Sequence, residues 1–548
     1  MRLTEKIKHI LKNNKVELLI IFLSLIFSCW LMFSTFSYKD GNMLIASKAW
    51  SDFASHIPLI RSFTFGNNFP PQYPLFSGPA IKYHFLFYAF VGLLEKSGMQ
   101  IDYALNIPST LGFFFLMIMI YLFAKDIFKS KAVGALSILF FALNSSLDFL
   151  RFFNLHPLSI HTLFDIINNQ KFISFGPYDQ SIISAFWNLN IYTNQRHLAL
   201  SYALSLLLIY IFLKLKEKDE KNNFKKSLII GIILGLSFFL NIAVFIMTIA
   251  IFICMFLFFS KKRLYLLISI ILGGIIAFPQ YLYVQSGGSF FKPLINPGYL
   301  VTHLNILNFL NYWWQNLGLN VILIPLGFII AAKNEKKILL SFLSLFVIGN
   351  LFQFSPEIAA NHKFFNYFII VGGMFSAYFL FFLWKKNSYL KLFVIVFSFL
   401  MIFSGIIDLF PIYNDYKITL SDYPVNKDIA WIIKNTKPSS IFLNTQYLYD
   451  NASLAGRKIF LGWPYFSWSQ GYNTDTRGSI RDLMLSSLKK NEICNLLKQE
   501  GIDYIELNKH VFDSNIPKPS SIFFDQLKSI YSNSLSGYSI RSVKKSCY

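Results

Sequence analysis

The chain has 548 residues, of which 54% are hydrophobic, 18% aromatic and only 14% charged. Apolar runs of roughly 20 residues, the length that crosses a bilayer, recur along it, which excludes an ordinary water-soluble domain and predicts a polytopic membrane protein. The formal net charge of +22 does not indicate nucleic-acid binding, because the basic residues cluster in short loops between the apolar runs.

The first apolar run follows a basic N-terminal segment and has no small-residue cleavage site behind it, so we interpret it as a retained anchor. Asn241 divides a longer apolar stretch into two. We expect about eleven spans, at 16–36, 104–124, 131–150, 198–213, 227–241, 243–259, 264–283, 317–332, 337–354, 365–384 and 389–410.

The basic loops orient this bundle. Lysines are densest at 214–226, and the other basic clusters occur at every second loop between the spans. These basic loops and the N-terminus are therefore expected on the cytoplasmic side. The apolar run 83–94 is too short to span and is expected to lie at the outer surface. The external segments are then 37–103, 151–197, 284–316, 355–364 and 411–548.

The composition changes after residue 410, where apolar runs shorten and turn residues appear. A helix is predicted over 426–435, mainly helix over 480–497, and strands over 440–443 and 502–507. We therefore divide the chain into a transmembrane domain, 1–410, and a small extracytoplasmic α/β domain, 411–548. The four cysteines are too few for a disulfide framework and show no metal-ligand spacing.

The first external segment carries the richest set of reactive side chains. Asp52 and His56 would share one face of a helix, and a carboxylate so close to hydrocarbon is costly unless it is paired or functional. Asp52 is a candidate general base and Arg61 a candidate phosphate ligand, with Lys82 and His84 adding positive charge. The alternative is an interfacial helix in which Asp52 is simply paired with His56 or Arg61.

Two further external clusters are candidates for the same site. Arg196 and His197 precede a span on the outer side and are candidates for binding an anionic headgroup or a lipid phosphate; snorkelling to ordinary lipid is the alternative. Asp148, at the outer end of another span, is the best candidate for a second acid.

The third cluster contains Glu357, His362 and Lys363, of which the lysine is another outward cation with a rationale for binding phosphate. Carboxylate and imidazole groups from this cluster, together with Asp52 or His84, are of the type that binds a divalent metal ion. Since no two of them have diagnostic spacing, the sequence favours a site without metal.

The order of these features resembles the GT-C superfamily of membrane glycosyltransferases, which includes protein O-mannosyltransferases and the aminoarabinose transferase of lipid A. The resemblance covers the whole chain loosely and the first 130 residues or so specifically. It rests on Asp52 after the first span, then Arg61, Gly66, Phe69-Pro70-Pro71, Asn106-Ile-Pro108-Ser and Ala124-Lys-Asp-Ile-Phe128-Lys-Ser-Lys, and in the tail on Asp428-Ile-Ala-Trp431-Ile, Gly456-Arg457 and Gly501-Ile-Asp503-Tyr504.

The resemblance implies hexosyl or pentosyl transfer, with inversion, from a polyprenyl-phosphate sugar to a protein, lipid or glycan acceptor on the outer face of a bacterial or archaeal cell membrane. Asp52 matches the acidic base, although its neighbours are Ser51 and Phe53 where many members carry a second acid. The cations expected to stabilise the leaving phosphate are Arg61, Lys82, Arg196 and Lys363.

Two alternatives from other classes remain at this stage. A lipid-linked glycan transporter or flippase would need ionisable groups inside the spans, and the predicted spans carry almost none. A polymerase or ligase of surface polysaccharide would use a similar donor but would rely on Arg and His more than on Asp.

Overall fold

The computed structural model describes residues 15–144, 146–173, 187–216, 219–288, 291–509 and 513–548. Helices dominate the first three quarters of the chain. In the described part, the helices up to residue 413 are α1 (Lys15–Thr35), α2 (Trp50–Thr64), α3 (Leu86–Lys96), α4 (Ile101–Phe128), α5 (Lys131–Ala142), α6 (Asp148–Leu155), α7 (Thr162–Ile167), α8 (Asn190–Asn194), α9 (Arg196–Leu213), α10 (Glu220–Leu236), α11 (Ile242–Phe258), α12 (Arg263–Gln285), α13 (Ile306–Leu317), α14 (Asn320–Ile330), α15 (Lys333–Leu351), α16 (His362–Lys386) and α17 (Leu390–Tyr413).

Each of the eleven predicted apolar runs coincides with a helix, but the number of spans is not confirmed. By length and composition, six described helices can cross a membrane, or seven if α13 and α14, which meet at an angle of 85°, form one broken span. The candidates are α1, α4, α9, α12, α16 and α17, where α12 is extended by residues 260–262 and α16 by residues 358–361. Helix α5 ends eight residues short of the predicted span, and α10 and α15 begin with charged turns.

The predicted break at Asn241 is confirmed. Helix α10 ends at Leu236, and the side chain of Asn241 accepts a hydrogen bond of 3.2 Å from the backbone N–H of Val244. This bond satisfies one of the free N–H groups at the start of α11, which is the ordinary role of asparagine before a helix. The surface run expected near residue 83 forms α3, only 11 residues long, which packs against α2.

Strands appear in the first external segment and in the tail. The strands are β1 (Phe36–Lys39), β2 (Asn42–Ala46), β3 (Leu294–Ile295), β4 (Phe352–Gln353), β5 (Lys417–Ser421), β6 (Ile441–Leu443), β7 (Lys458–Ile459), β8 (Tyr504–Asn508), β9 (Ser529–Asn533) and β10 (Tyr538–Ser542). The tail helices are α18 (Lys427–Asn435), α19 (Asn451–Leu454), α20 (Pro464–Ser469), α21 (Thr474–Ser486), α22 (Lys490–Gln499), α23 (Ile522–Asp525) and α24 (Val543–Cys547).

The tail contains a small mixed sheet with the strand order β7-β6-β8-β10-β9. Strand β6 is parallel to both β7 and β8, whereas β10 is antiparallel to β8 and β9. The expected helix–strand alternation is therefore present, and the region predicted as mainly helical over 480–497 consists of parts of α21 and α22. A disulfide joins Cys494 of α22 to Cys547 at the end of the chain, which the cysteine count alone did not predict.

The tail does not pack separately from the first external segment. Strand β5, just after α17, pairs with β2 from Asn42↔Ser421 to Ala46↔Lys417, so the tail completes a three-stranded antiparallel sheet begun near residue 36. One hydrophobic core contains buried side chains of both regions, among them Phe53, Phe442 and Leu461. The first external segment and the tail thus form one packed unit on the membrane bundle.

A buried ion cluster connects the same two regions. The Arg61 side chain in α2 is completely buried, and its guanidinium lies 2.6 Å from Asp422 after β5 and 3.2 Å from Glu95 in α3. The ring of Tyr423 faces the same guanidinium. Three segments of the chain therefore meet around one cation, and removing either acid would leave that charge undercompensated in a dry environment.

Close backbone contact reinforces this junction. A Cβ atom on Gly66 would lie 2.1 Å from the carbonyl oxygen of Gly456, which itself has a φ of +75° that favours glycine. The adjacent Arg457 donates to the carbonyl oxygens of Phe65 (2.9 Å), Ile433 (3.1 Å) and Thr436 (3.0 Å). The Gly456-Arg457 pair therefore bridges the end of α2 to the end of α18, whose free carbonyl groups it satisfies.

We predict that Asp422→Asn destabilises the junction between the first external segment and the tail. Breaking a buried ion pair by removing one partner costs about 3–5 kcal/mol, because the remaining charge stays buried. The measurement is the thermal unfolding of purified protein in detergent. Glu492→Gln is the matched control, since Glu492 pairs with Lys489 on the surface of the tail, where both side chains are largely exposed, and its melting temperature should equal that of the wild type. Equal melting temperatures for all three proteins would contradict a structural role for the cluster.

Candidate active site

Asp52 lies in the first turn of α2, at the junction between the membrane bundle and the first external segment. The next residue, Phe53, is fully buried and packs against Phe36, so this side of the helix faces the protein interior. Burial raises the pKa of Asp52 to about 6, while the ammonium of Lys363 and a hydrogen bond from Asn194 act in the opposite direction. A carboxylate whose pKa lies just below neutral pH is ionised at pH 7 and still able to accept a proton.

Lys363 is the cation that lowers the pKa of Asp52, although 311 positions separate the two residues in the chain. It stands in the first turn of α16, where the Tyr202 hydroxyl donates a 2.8 Å hydrogen bond to its backbone carbonyl. The two side chains interact electrostatically without forming a direct ion pair. Opposite charges held apart in this way can both face a third group placed between them.

Asn194 is a third residue that acts on this site. Its amide, buried in the short helix α8, donates to the backbone carbonyl of Lys48 at 3.1 Å and lies close enough to the Asp52 carboxylate to favour its ionised form. The hydroxyl of Tyr83 lies near the same carboxylate, which together with burial raises the pKa of this tyrosine. Apart from Lys363, the groups that act on this carboxylate are therefore neutral.

Three histidines form a buried network behind this pair. Nε2 of His84 and Nε2 of His197 are 2.6 Å apart, and the Tyr88 hydroxyl lies 2.8 Å from Nδ1 of His197. The ring of His56 stacks on Tyr88 at a centroid distance of 4.5 Å. Burial lowers the pKa of His56 to about 3 and that of His84 well below its usual value, with nearby cations acting in the same direction. Both are neutral at pH 7, so neither pairs with Asp52 as an ion.

The structure does not support a phosphate-binding role for the two arginines. Arg61 is held in the buried ion cluster with Asp422 and Glu95. Arg196, also fully buried, donates to the carbonyl oxygen of Thr193 at 2.6 Å, to the hydroxyl of Thr35 at 2.5 Å and to the carbonyl oxygen of Met32 at 3.2 Å. Each guanidinium connects structural elements, and we do not retain either as a ligand of the donor.

Lys82 is likewise bound within the protein. Its ammonium donates to the carbonyl oxygen of Gly471 at 2.8 Å and lies 4.8 Å from the ring centre of Tyr472. Burial lowers the pKa of this lysine. Lys82 therefore anchors the first external segment to the tail, and it is not among the groups that act on Asp52.

Asp148 is not brought to Asp52 as a second acid. It begins α6, and its carboxyl group lies beside that of Asp408 in the last span, close to the amide of Asn188. Both acids are 1% exposed. Asp408 was missed from the sequence, although an acid inside a predicted span is a recognisable signal.

The candidate metal ligands of the third cluster make other contacts within the protein. Glu357 uses one carboxylate oxygen to accept from the backbone N–H of Ala359 at 3.0 Å and the other to accept from the Tyr465 hydroxyl at 3.0 Å. His362 is buried, with Nδ1 3.3 Å from the Asn366 amide. Within the described ranges, no three His, Cys, Asp or Glu side chains are close enough together to hold a metal.

The arrangement was compared with known proteins. No protein-family model matches the sequence, and no curated protein matches it. Among solved structures, the archaeal oligosaccharyltransferase AglB from Archaeoglobus fulgidus, in complex with an inhibitory peptide and a dolichol-phosphate, matches with a TM-score of 0.51 at 12% identity, over 91% of this chain and 70% of that one. The same enzyme tethered to an acceptor peptide matches with a TM-score of 0.50 at 12% identity, over 91% and 69%.

AglB is a membrane glycosyltransferase of the GT-C superfamily. This chain has the GT-C fold. The resemblance noted in the sequence is thereby confirmed at the level of the fold, which is what a likeness at 12% identity establishes. In this GT-C fold, Asp52 follows the first span, and the start of α16 brings Lys363 to it.

Sequence reasoning found both charged members of the Asp52–Lys363 pair but missed the groups that orient them. Asn194 stands two residues before Arg196, in a cluster of which only the basic residues were predicted as site residues. Tyr83 and Tyr88 were interpreted only as part of an apolar surface run. Their hydroxyl groups were the available signal, because a tyrosine buried beside charges needs a hydrogen-bond partner.

We predict that Lys363→Gln raises the pKa of the Asp52 carboxyl above its wild-type value near 6, because the opposing cation is lost while the burial remains. Lys363→Arg keeps the positive charge and should leave the pKa close to that of the wild type. Infrared difference spectra of the protonated carboxyl, taken across pH and assigned with Asp52→Asn, measure both values. An unchanged pKa in the glutamine variant would show that Lys363 does not act on Asp52.

Proposed function

We propose that this protein is an integral-membrane glycosyltransferase, which transfers a saccharide from a polyprenyl-phosphate-linked donor to an acceptor at the outer face of the membrane. The observation that carries the proposal is the Asp52–Lys363 pair, in which a carboxylate and a cation act on each other within the GT-C fold without a direct ion pair. A base and a cation that are close but not directly paired are what a displacement with an anionic leaving group requires.

Asp52 acts on the acceptor in this scheme. Its ionised carboxylate takes the proton from the acceptor nucleophile as that atom attacks the anomeric carbon of the donor sugar. Burial brings the pKa of Asp52 to about 6, near the working pH, and the nearby amide of Asn194 favours the ionised form. A single displacement of this kind inverts the configuration at the anomeric carbon.

Lys363 acts on the leaving group. The bond between the anomeric carbon and the phosphate oxygen breaks, its electron pair stays on that oxygen, and negative charge grows on the polyprenyl phosphate. A fixed cation that meets this charge where water is scarce is worth about 3–4 kcal/mol of the barrier. Of the four expected cations, Lys363 is the one that acts on Asp52 within the described part of the chain, which supports this role.

The comparisons support the substrate classes and leave the sugar open. The matched AglB structures contain a dolichol-phosphate and an acceptor peptide, and we extend to this chain a lipid-phosphate donor and a protein, lipid or glycan acceptor. A cell-membrane location with the tail outside the cytoplasm, in a bacterium or archaeon, fits the basic loops and the disulfide between Cys494 and Cys547, because disulfides persist in oxidising compartments.

The first test is Asp52→Asn. We expect transfer to fall by roughly 10²–10⁴-fold, the usual contribution of a general base, with the melting temperature retained. The measurement is the transfer of labelled sugar from an extracted pool of lipid-linked donors by purified protein. Asp475→Asn, at an exposed position of α21, should transfer normally. Full activity of the Asp52 variant would contradict its role as the base.

The second test is the pH profile of transfer. Because the base works when ionised, the rate should fall as the pH decreases through about 6, where Asp52 takes up a proton. In Lys363→Gln this acid limb should move to higher pH, and the maximal rate should drop by roughly 10²–10³-fold through loss of the leaving-group cation. Lys363→Arg should restore the position of the limb. If the acid limb stays at the same pH in the glutamine variant, Lys363 does not affect the ionisation of the base.

One observation favours a second candidate, a transporter of lipid-linked glycans. Asp148 and Asp408 form a buried acid pair at the end of α17, and acids buried within spans are typical of transport pathways. Asp408→Asn preserves the size of the side chain but removes one acid. We expect normal transfer from this variant in detergent. If transfer is absent from the wild type, and translocation of a fluorescent lipid-linked glycan in proteoliposomes depends on Asp408, the transporter is the better assignment.

A further inference from the structure

A cavity lies at the end of the membrane bundle opposite the Asp52 site. It is bordered by the ends of α4 and α9, the turn 259–262 and the start of α15, and it has a volume of about 660 Å³ and is partly open to solvent. Helix α9 runs from Arg196, close to the Asp52 site, to Leu213 at this cavity. Its 18 residues span about 27 Å, close to the thickness of the hydrocarbon core. If the site lies at one membrane boundary, the cavity lies at the other.

The walls of this cavity are strongly basic. Five lysines from four separate segments line it, against two acids, Asp126 and Glu335; the lysines are Lys129, Lys214, Lys261, Lys262 and Lys337. Asp126 is already paired with Lys214. Positive charge at this end of a bundle follows from the orientation rule, but that rule predicts scattered lysines rather than convergence on one concavity.

Several of these lysines are positioned by the fold. Lys129 ends α4 with a left-handed φ of 51°, which turns the chain sharply at the rim. The ammonium of Lys337 lies 5.2 Å from the ring centre of Phe259, and that of Lys262 donates to the carbonyl oxygen of Leu213 at 3.0 Å. Within the described ranges, Lys129 and Lys337 have no acidic partner in an ion pair.

The lining also has an apolar part, formed by Phe123, Leu213, Leu215, Phe259 and Ile338. Basic pockets between spans with this mixture of surfaces suit the headgroup of an anionic lipid, since the lysines meet the phosphate and the apolar walls meet the glycerol and upper acyl region. We propose that this cavity binds the phosphate-bearing headgroup of an anionic phospholipid of the membrane leaflet opposite the Asp52 site. The proposal is independent of the transfer reaction.

The test uses full-length protein in nanodiscs of phosphatidylcholine that contain a minor fraction of phosphatidylglycerol. The protein is released into detergent, and native mass spectrometry counts the phosphatidylglycerol molecules retained. The double variant Lys129→Gln/Lys337→Gln should retain about tenfold less than the wild type, because each lysine near a headgroup contributes separately to the attraction. Melting in pure phosphatidylcholine shows that the variant is folded.

The matched control is Lys385→Gln/Lys386→Gln, which removes two lysines from the end of α16, at the same end of the bundle but outside the cavity. It should retain phosphatidylglycerol as the wild type does. Equal loss in both double variants would indicate general surface attraction and overturn the proposal. Displacement of the retained lipid by millimolar inorganic phosphate would identify a free-anion site and would also overturn it, whereas retention that resists inorganic phosphate supports the lipid headgroup.

Discussion

A buried arginine determines how segment 37–103 and the tail pack together on the helical bundle. Arg61 is completely enclosed, so its charge requires the carboxylates of both Asp422 and Glu95, and these come from the tail and from α3. Asp52 precedes Arg61 by nine residues on the same helix, about 14 Å along its axis. The cluster that fixes the end of α2 at Arg61 therefore also fixes the position of Asp52 at the other end of the helix. The tail is in this sense part of the scaffold of the site.

Burial also explains why the expected cations separate into two kinds. A guanidinium carries five N–H donors, and an enclosed one must find acceptors for most of them within the protein. Arg196 finds them in carbonyl and hydroxyl groups of α1 and the turn before α9. An incoming phosphate would have to displace those bonds and loosen the bundle. Lys363 is a compact charge on a flexible stem, beside a partly exposed carboxylate rather than enclosed by acceptors, and so remains able to meet a substrate.

The parts of the fold that follow local rules could be predicted. Apolar runs located the helices, Asn241 located a helix break, and the helix predicted at 426 begins after the capping side chain of Asn426. Contacts between distant segments could not be predicted, because one sequence contains no information on which strand pairs with which. The pairing of β2 with β5 and the ion pair of Arg61 with Asp422, 361 positions apart, are of this kind. The candidate base and its cation were identified by residue type, but only the fold distinguished Lys363 from the three other cations.

The balance of effects on Asp52 has a consequence for the proposed reaction. Burial favours the protonated acid, and Lys363 opposes it through its positive charge. When the anionic phosphate of a donor lies against Lys363, that charge is shared between two anions, and its effect on Asp52 weakens. The affinity of Asp52 for a proton then rises at the moment when the donor is bound and an acceptor proton must be removed. A single lysine that acts on both the base and the leaving group would in this way make proton uptake by the base depend on the presence of the donor.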